Sequence, residues 1–203
     1  YRVRDNRSGI FYSAIISDFT VDEETRNSLE VFELFREVNI CSFLNHPSIV
    51  RFVGYSPSNF DDDPCPMIFT DFYCNGTLRN VIEHERLGLD PEDWGPTKKL
   101  IAIYGIASGM SYLHSHNIIH RNLKPDNIFL DENLHPKISG FELAKPIDFI
   151  SVSMNRQSQK GLKGTPIYMA PEIFESENYS KSSDVYSFAI TVFELLSGKT
   201  LFE

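Results

Sequence analysis

The spacing of apolar residues changes part-way along this chain, and that change limits the available folds more than any single residue does. Up to Phe72 the apolar runs are short and β-like: Tyr1–Arg4, Ile10–Ile16, Ile49–Tyr55 and Met67–Phe72 read as strands. The turn-forming stretch Asp5-Asn6-Arg7-Ser8-Gly9 joins the first two as a hairpin. One helix interrupts them. Its stripe is Val31, Leu34, Phe35, Val38 and Cys41, and Thr20-Val21-Asp22-Glu23 has the capping-box pattern that would open it. From Thr77 onward the period becomes helical. Leu100, Ile103, Tyr104, Ala107, Met110 and His114 form one stripe, and Phe188, Val192, Leu195 and Leu196 another, with Gly198 as its C-cap. Short strands fall near Ile128–Leu130 and Lys137–Ile138, and residues 150–164 form a polar, serine-rich segment expected to be mobile. Strands gathered at one end and helices at the other imply an α+β protein with two lobes.

Composition adds exclusions. No run of about 18 apolar residues could span a membrane. The net charge of −9 argues against a nucleic-acid surface. Cys41, Cys65 and Cys74 lack metal-ligand spacing, and an odd, sparse set fits a reducing, cytoplasmic setting better than a disulfide framework. The chain starts at Tyr1 and runs off the end of an apolar helix, so both ends are read as cut.

Five motifs then follow in order. Glu37 lies nine residues before His46-Pro47-Ser48-Ile49-Val50. Thr70-Asp71-Phe72-Tyr73 precedes Asn75-Gly76-Thr77-Leu78. His120-Arg121-Asn122-Leu123-Lys124-Pro125-Asp126-Asn127 comes next, then Gly164-Thr165-Pro166-Ile167-Tyr168-Met169-Ala170-Pro171-Glu172 and Asp184-Val185-Tyr186-Ser187-Phe188. The octapeptide resembles the catalytic loop H-R-D-L-x-x-x-N of protein kinases. The others resemble, in turn, the helix-C glutamate, the gatekeeper and hinge, the end of the activation segment and the start of helix F. The resemblance implies a two-lobed kinase fold over 1–203, with a small strand-rich lobe over 1–72 and a helical lobe over 73–203. It implies that the first strand with its glycine-rich loop, and the last helices of the second lobe, are missing. Lys124, two residues after Asn122, is similar to the serine/threonine or tyrosine-kinase-like types.

Three positions depart from the pattern, and each matters because kinase catalysis is positioning and electrostatics around a nucleotide–magnesium complex. The phosphate-gripping strand lysine falls at Ile15 when counted from Gly9, or at Ile16 when anchored on Ala14; the first lysine in the chain is Lys98. The catalytic-loop aspartate is Asn122, a neutral amide that is no base near neutral pH. The D-F-G triplet reads Gly140-Phe141-Glu142, so the metal-binding aspartate is a glycine. Asn127 survives as the other metal position, and Glu142, two residues beyond the lost acid, is a candidate relocated ligand, weighed against a solvent-facing glutamate.

By resemblance, Thr70, Asp71, Tyr73, Phe129 and Glu37 belong to the nucleotide site, with Phe129 under the adenine ring. His120 and Phe141 are core-packing residues, and Asp184 holds the catalytic loop through backbone N–H groups. Ser151, Ser153, Ser158 and Thr165 are phosphorylation candidates that could pair with Arg121. The chain therefore reads as a pseudokinase, a scaffold or allosteric partner of other proteins, with an active kinase as one candidate partner. ATP binding stays open and magnesium is disfavoured. The alternative is an atypical ATP-dependent serine/threonine kinase that uses Glu142 for metal and Arg2 or Arg4 for phosphate. A third reading is a degenerate fragment without independent function.

Overall fold

The computed structural model describes residues 1–89, 91–147, 163–176 and 178–201. The chain forms two compact units, one of Tyr1–Asn45 with Val50–Phe72 and the other of His46–Ile49 with Tyr73–Glu203. His46–Ile49 joins the second unit through its backbone. Ile49 makes a parallel bridge to Ile138, the Ile138 N–H donates to the Ser48 carbonyl at 2.8 Å, and Lys137 Nζ donates to the Pro47 carbonyl at 2.7 Å.

In the first unit, strands β1 (Arg2–Arg4), β2 (Phe11–Ile16), β3 (Phe52–Ser56) and β4 (Met67–Asp71) form one antiparallel sheet in the order β1-β2-β4-β3. The β1–β2 hairpin closes as its residues dictate: the Asp5 carboxylate accepts from the Arg7 and Ser8 N–H groups, and Gly9 adopts φ +72°. Helix α1 (Leu29–Phe43) buries Val31, Leu34, Ile40 and Cys41 and is capped by Ser28, whose hydroxyl accepts from the Val31 N–H. The capping pattern at Thr20 does not start it. Asp22 instead binds the N–H groups of Glu24 and Thr25 in a turn, and the Thr25 hydroxyl donates to the Thr20 carbonyl at 2.9 Å, so this stretch closes on itself before the helix begins.

The second unit holds α2 (Leu78–Arg86), α3 (Pro96–Ser115), α4 (Pro171–Ser176) and α5 (Lys181–Ser197), with two small ribbons. One ribbon pairs β5 (Ile118–Ile119) with β8 (Lys145–Pro146); the other pairs β6 (Ile128–Leu130) with β7 (Pro136–Ile138). Helix α2 carries a full capping box between Thr77 and Asn80, and α5 has one between Ser180 and Ser183. Gly198 ends α5 at φ +66° as its C-cap. Among the described residues, no helix is long and apolar enough to cross a membrane.

The apolar stripe expected of α3 is only partly the buried one: Met110 is buried and His114 reaches Asp184, but its first half faces outward. Leu100 and Tyr104 are 64% and 78% exposed, whereas Ala102, Gly105, Ile106, Gly109, Met110 and Leu113 are buried. The reason is close approach to β7. A β-carbon on Gly105 would lie 2.5 Å from Pro136 Cγ, and one on Gly109 would lie 2.7 Å from Ile138 Cδ1. Glycine is the inward residue there, and glycine does not register as apolar.

Candidate functional site

The catalytic-loop sequence is held from below by one buried carboxylate. Asp184, in the first turn of α5 and 1% exposed, accepts from the His120 N–H and the Arg121 N–H, both at 2.9 Å, and meets His114 Nε2 at 2.8 Å. Arg121 is left-handed at φ +69°. This turn presents both N–H groups to a single side chain. His120 is fully buried, its ring 5.2 Å from that of Phe141. Its Nδ1 accepts from the Asn122 N–H at 3.2 Å, so Nε2 carries the hydrogen and donates to the Ser139 carbonyl at 2.8 Å. The core-packing roles expected of His120 and Phe141 and the anchoring role expected of Asp184 match this geometry.

Above that base, Asn122 uses both ends of its amide. Nδ2 donates to Glu142 Oε1 at 2.8 Å, and Oδ1 accepts from Thr165 Oγ at 3.3 Å. Thr165 in turn accepts from Lys124 Nζ at 2.8 Å. Lys124, Thr165, Asn122 and Glu142 thus form one chain of hydrogen bonds, and every member was singled out in the sequence. What the sequence did not reveal is that they meet. Glu142 is exposed and directed at Asn122, an arrangement that neither the metal-ligand nor the solvent-facing reading described.

The kinase resemblance implies a divalent cation between the positions of Asn127 and Gly140, and the residues present do not fit one. Gly140 offers no ligand and sits at φ +79°. A β-carbon there would lie 2.5 Å from Asn127 Cγ and 2.6 Å from its Nδ2, so the Asn127 side chain fills the space an acid would need. Asn127 is itself committed, donating from Nδ2 to the Asn122 carbonyl at 2.7 Å. The ribbon explains the proximity: Ile128 pairs with Ile138, and the Ser139 N–H donates to the Asn127 carbonyl at 2.8 Å. Among the described residues, no three His, Cys, Asp or Glu side chains group closely enough to hold a metal ion.

In the first unit, Ile15 lies opposite Ile68 and is 58% exposed, while Ile16 lies opposite Met67. Thr70 is paired with Ser13, on the same side of the sheet as Ile15. Asp71 is held by Arg51 through two bonds of 2.8 Å. Glu37 is half-buried on α1. Arg2 lies over the Phe11 and Phe72 rings at 5.0 and 5.6 Å, and Arg4 lies 5.8 Å over Phe11. Both guanidinium groups are stacked on their own sheet. In the second unit, Phe129 and Tyr73 stack with ring centres 6.1 Å apart. Ser151, Ser153 and Ser158 lie outside the described residues, while the Arg121 guanidinium sits 3.9 Å over the Tyr179 ring.

Sequence reasoning missed a buried ionic cluster. Arg79 of α2 donates to Glu194 of α5 at 2.8 Å and to the Tyr168 hydroxyl, and lies 3.5 Å from Asp126. Tyr168 donates to Glu194 at 2.9 Å. Burial pushes the Tyr168 hydroxyl up, and the adjacent Glu194 carboxylate pushes it further, so it stays a donor. The partners are 115 residues apart in sequence. No local pattern marks such a pair, although a glutamate on the apolar side of a helix, as Glu194 is in the last turn of α5, was a signal.

Comparison with known proteins agrees with this geometry. The protein kinase domain family matches residues 15–203. A protein kinase and PP2C-like domain-containing protein of Arabidopsis thaliana is 34% identical over 189 residues, covering 86% of this chain and 26% of the relative. A probable serine/threonine-protein kinase, drkD, of Dictyostelium discoideum is 36% identical over 171 residues, covering 82% and 12%. The cAMP-dependent protein kinase type 3 of Saccharomyces cerevisiae is 32% identical over 201 residues, covering 98% and 45%. The chain therefore spans less than half the length of each of these relatives. Taken with the α+β fold and the loop held by Asp184, a family match running nearly from end to end makes this chain a member of the protein kinase domain family, with serine/threonine kinases among its relatives.

Proposed function

We propose that this chain is a pseudokinase, a kinase fold that acts by binding other proteins rather than by transferring phosphate. The observation that carries this reading is the state of Asn122. The position that would accept the substrate proton holds a neutral amide, already bonded to Glu142 and Thr165. Losing a general base typically costs about 10²–10⁴ in rate. The glycine at 140, with Asn127 filling the space beside it, removes the metal ligand as well, and the lysine-free first lobe removes the phosphate grip. These losses fall on one assembly and do not simply multiply. The reading takes 1–72 as the small lobe and 73–203 as the helical lobe of one domain.

The rival reading, an active enzyme with relocated groups, needs Glu142 for metal and Arg2 or Arg4 for phosphate. It is weakened by the bond of Glu142 to Asn122 and by the stacking of both arginines on aromatic rings. A cytoplasmic protein partner, with an active kinase as one candidate, goes with the pseudokinase reading. ATP alone could still bind, with Phe129 and Tyr73 offering stacked rings.

The test is thermal unfolding with ATP, with magnesium and with both, alongside a phosphotransfer assay on a generic protein acceptor. A ligand that binds the folded state raises the midpoint. The expected result is no magnesium-dependent rise and no transfer above background; a rise with ATP alone is compatible with this. A rise that needs magnesium, with transfer lost in Asn127→Ala, would overturn the proposal.

A further inference from the structure

We propose that Asn122 and Glu142 are a matched pair, in which one amide fastens both Glu142 and Thr165 to the catalytic loop. The two changes from the kinase pattern are then one change. In the kinase pattern an aspartate stands at 122 and a glycine at 142, and that combination has no side-chain bond between the two positions. Here the amide supplies a donor and an acceptor, which a carboxylate cannot do. The donor reaches Glu142 in the turn Phe141–Leu143, and the acceptor takes the Thr165 hydroxyl beside Gly164. Lys124 completes the chain by donating to Thr165. Asn122 has thus exchanged a catalytic role for a fastening one, and restoring only the aspartate would not restore the kinase arrangement.

The charge argument makes the pair falsifiable. With aspartate at 122, two carboxylates would face each other across the gap that a 2.8 Å bond now spans. Like charges so close raise the folded-state pKa of one of them. A raised carboxylate binds more protons folded than unfolded, so the stability of that variant falls as pH rises from about 4 to 7. Among the described residues, ionisable groups bonded around the pair include His120, whose ring accepts the Asn122 N–H, Arg121, which reaches the Leu143 carbonyl, Asp184 beneath the loop, and Lys124. They act on the same new carboxylate in Asn122→Asp and in the double variant, so the comparison of those two reads the effect of the Glu142 charge.

The experiment measures the unfolding midpoint between pH 4 and 8 for the full chain and for Asn122→Asp, Glu142→Gln and the double variant. Asn122→Asp is expected to lose several degrees at neutral pH and much less near pH 4. Glu142→Gln, placed in that background, is expected to recover most of the loss, because its amide donates to the new carboxylate. This reads stability rather than activity, so it stands or falls separately from the pseudokinase proposal. A pH-independent loss, or a double variant whose loss is the sum of the single ones, would overturn the pair. Should Asn122→Asp not fold, folding of the double variant supports the pair and its failure overturns it.

Discussion

At position 140 the backbone, not the side chain, decides what can be placed there. Gly140 is left-handed at φ +79°, and the direction a side chain would take is occupied by Asn127. Gly140→Ala is expected to destabilise by about 1–2 kcal/mol from the backbone conformation alone, and by more if Asn127 must give up its bond to the Asn122 carbonyl. Urea titration checks this, and an unchanged midpoint would mean that the turn shifts freely. The identity of this residue was legible in the sequence, as was that of Asn122. Their consequences were not. That Glu142 is bonded to Asn122, rather than aimed at a metal or at water, depends on where two backbone segments twenty residues apart come together.

At the scale of elements, the β6–β7 turn shows how a polar residue sets a ribbon. Asp131 is buried at the turn and accepts from the Asn133 and His135 N–H groups at 3.0 and 2.9 Å, with Lys137 at 3.3 Å. Burial by itself would raise its pKa; the two N–H groups and the Lys137 ammonium outweigh it, and the net direction is downward. A carboxyl with a lowered folded-state pKa contributes stability above its unfolded value of about 3.9, lost as pH falls through the folded value. Asp131→Asn should therefore lower the midpoint at pH 7 and narrow the gap to the parent chain under acid conditions. An equal loss at pH 7 and pH 3 would refute that assignment. Element type was largely readable here, from periodicity and caps. The phase of α3 was not, because Gly105 and Gly109 face inward and leave no apolar mark. The helix start at Ser28 was missed because Asp22 closes a turn just where a capping pattern sits.

At the scale of the molecule, the second unit is tied together by side chains that no local rule connects. Arg79 joins α2 to Glu194 in α5 and to Tyr168, with side-chain exposures of 16% for Arg79 and 1% for Glu194. Removing one member leaves a buried charge without its counter-charge, at a cost of about 3–5 kcal/mol. Arg79→Met should accordingly destabilise strongly, and Arg79→Met with Glu194→Gln should be milder than Arg79→Met alone. Denaturant midpoints of both variants decide this; equal losses would mean that the ion pair is not what holds the two helices.

The sequence by itself determined the fold class, the family and which residue types stand at positions 15, 122 and 140, because each depends on residue type and order along the chain. Only the tertiary structure decided what the replacements do. Hydrogen bonds reach about 3 Å, and whether Asn122 meets Glu142 or Asn127 fills the side of Gly140 is fixed by how the ribbons and α5 bring distant backbone together.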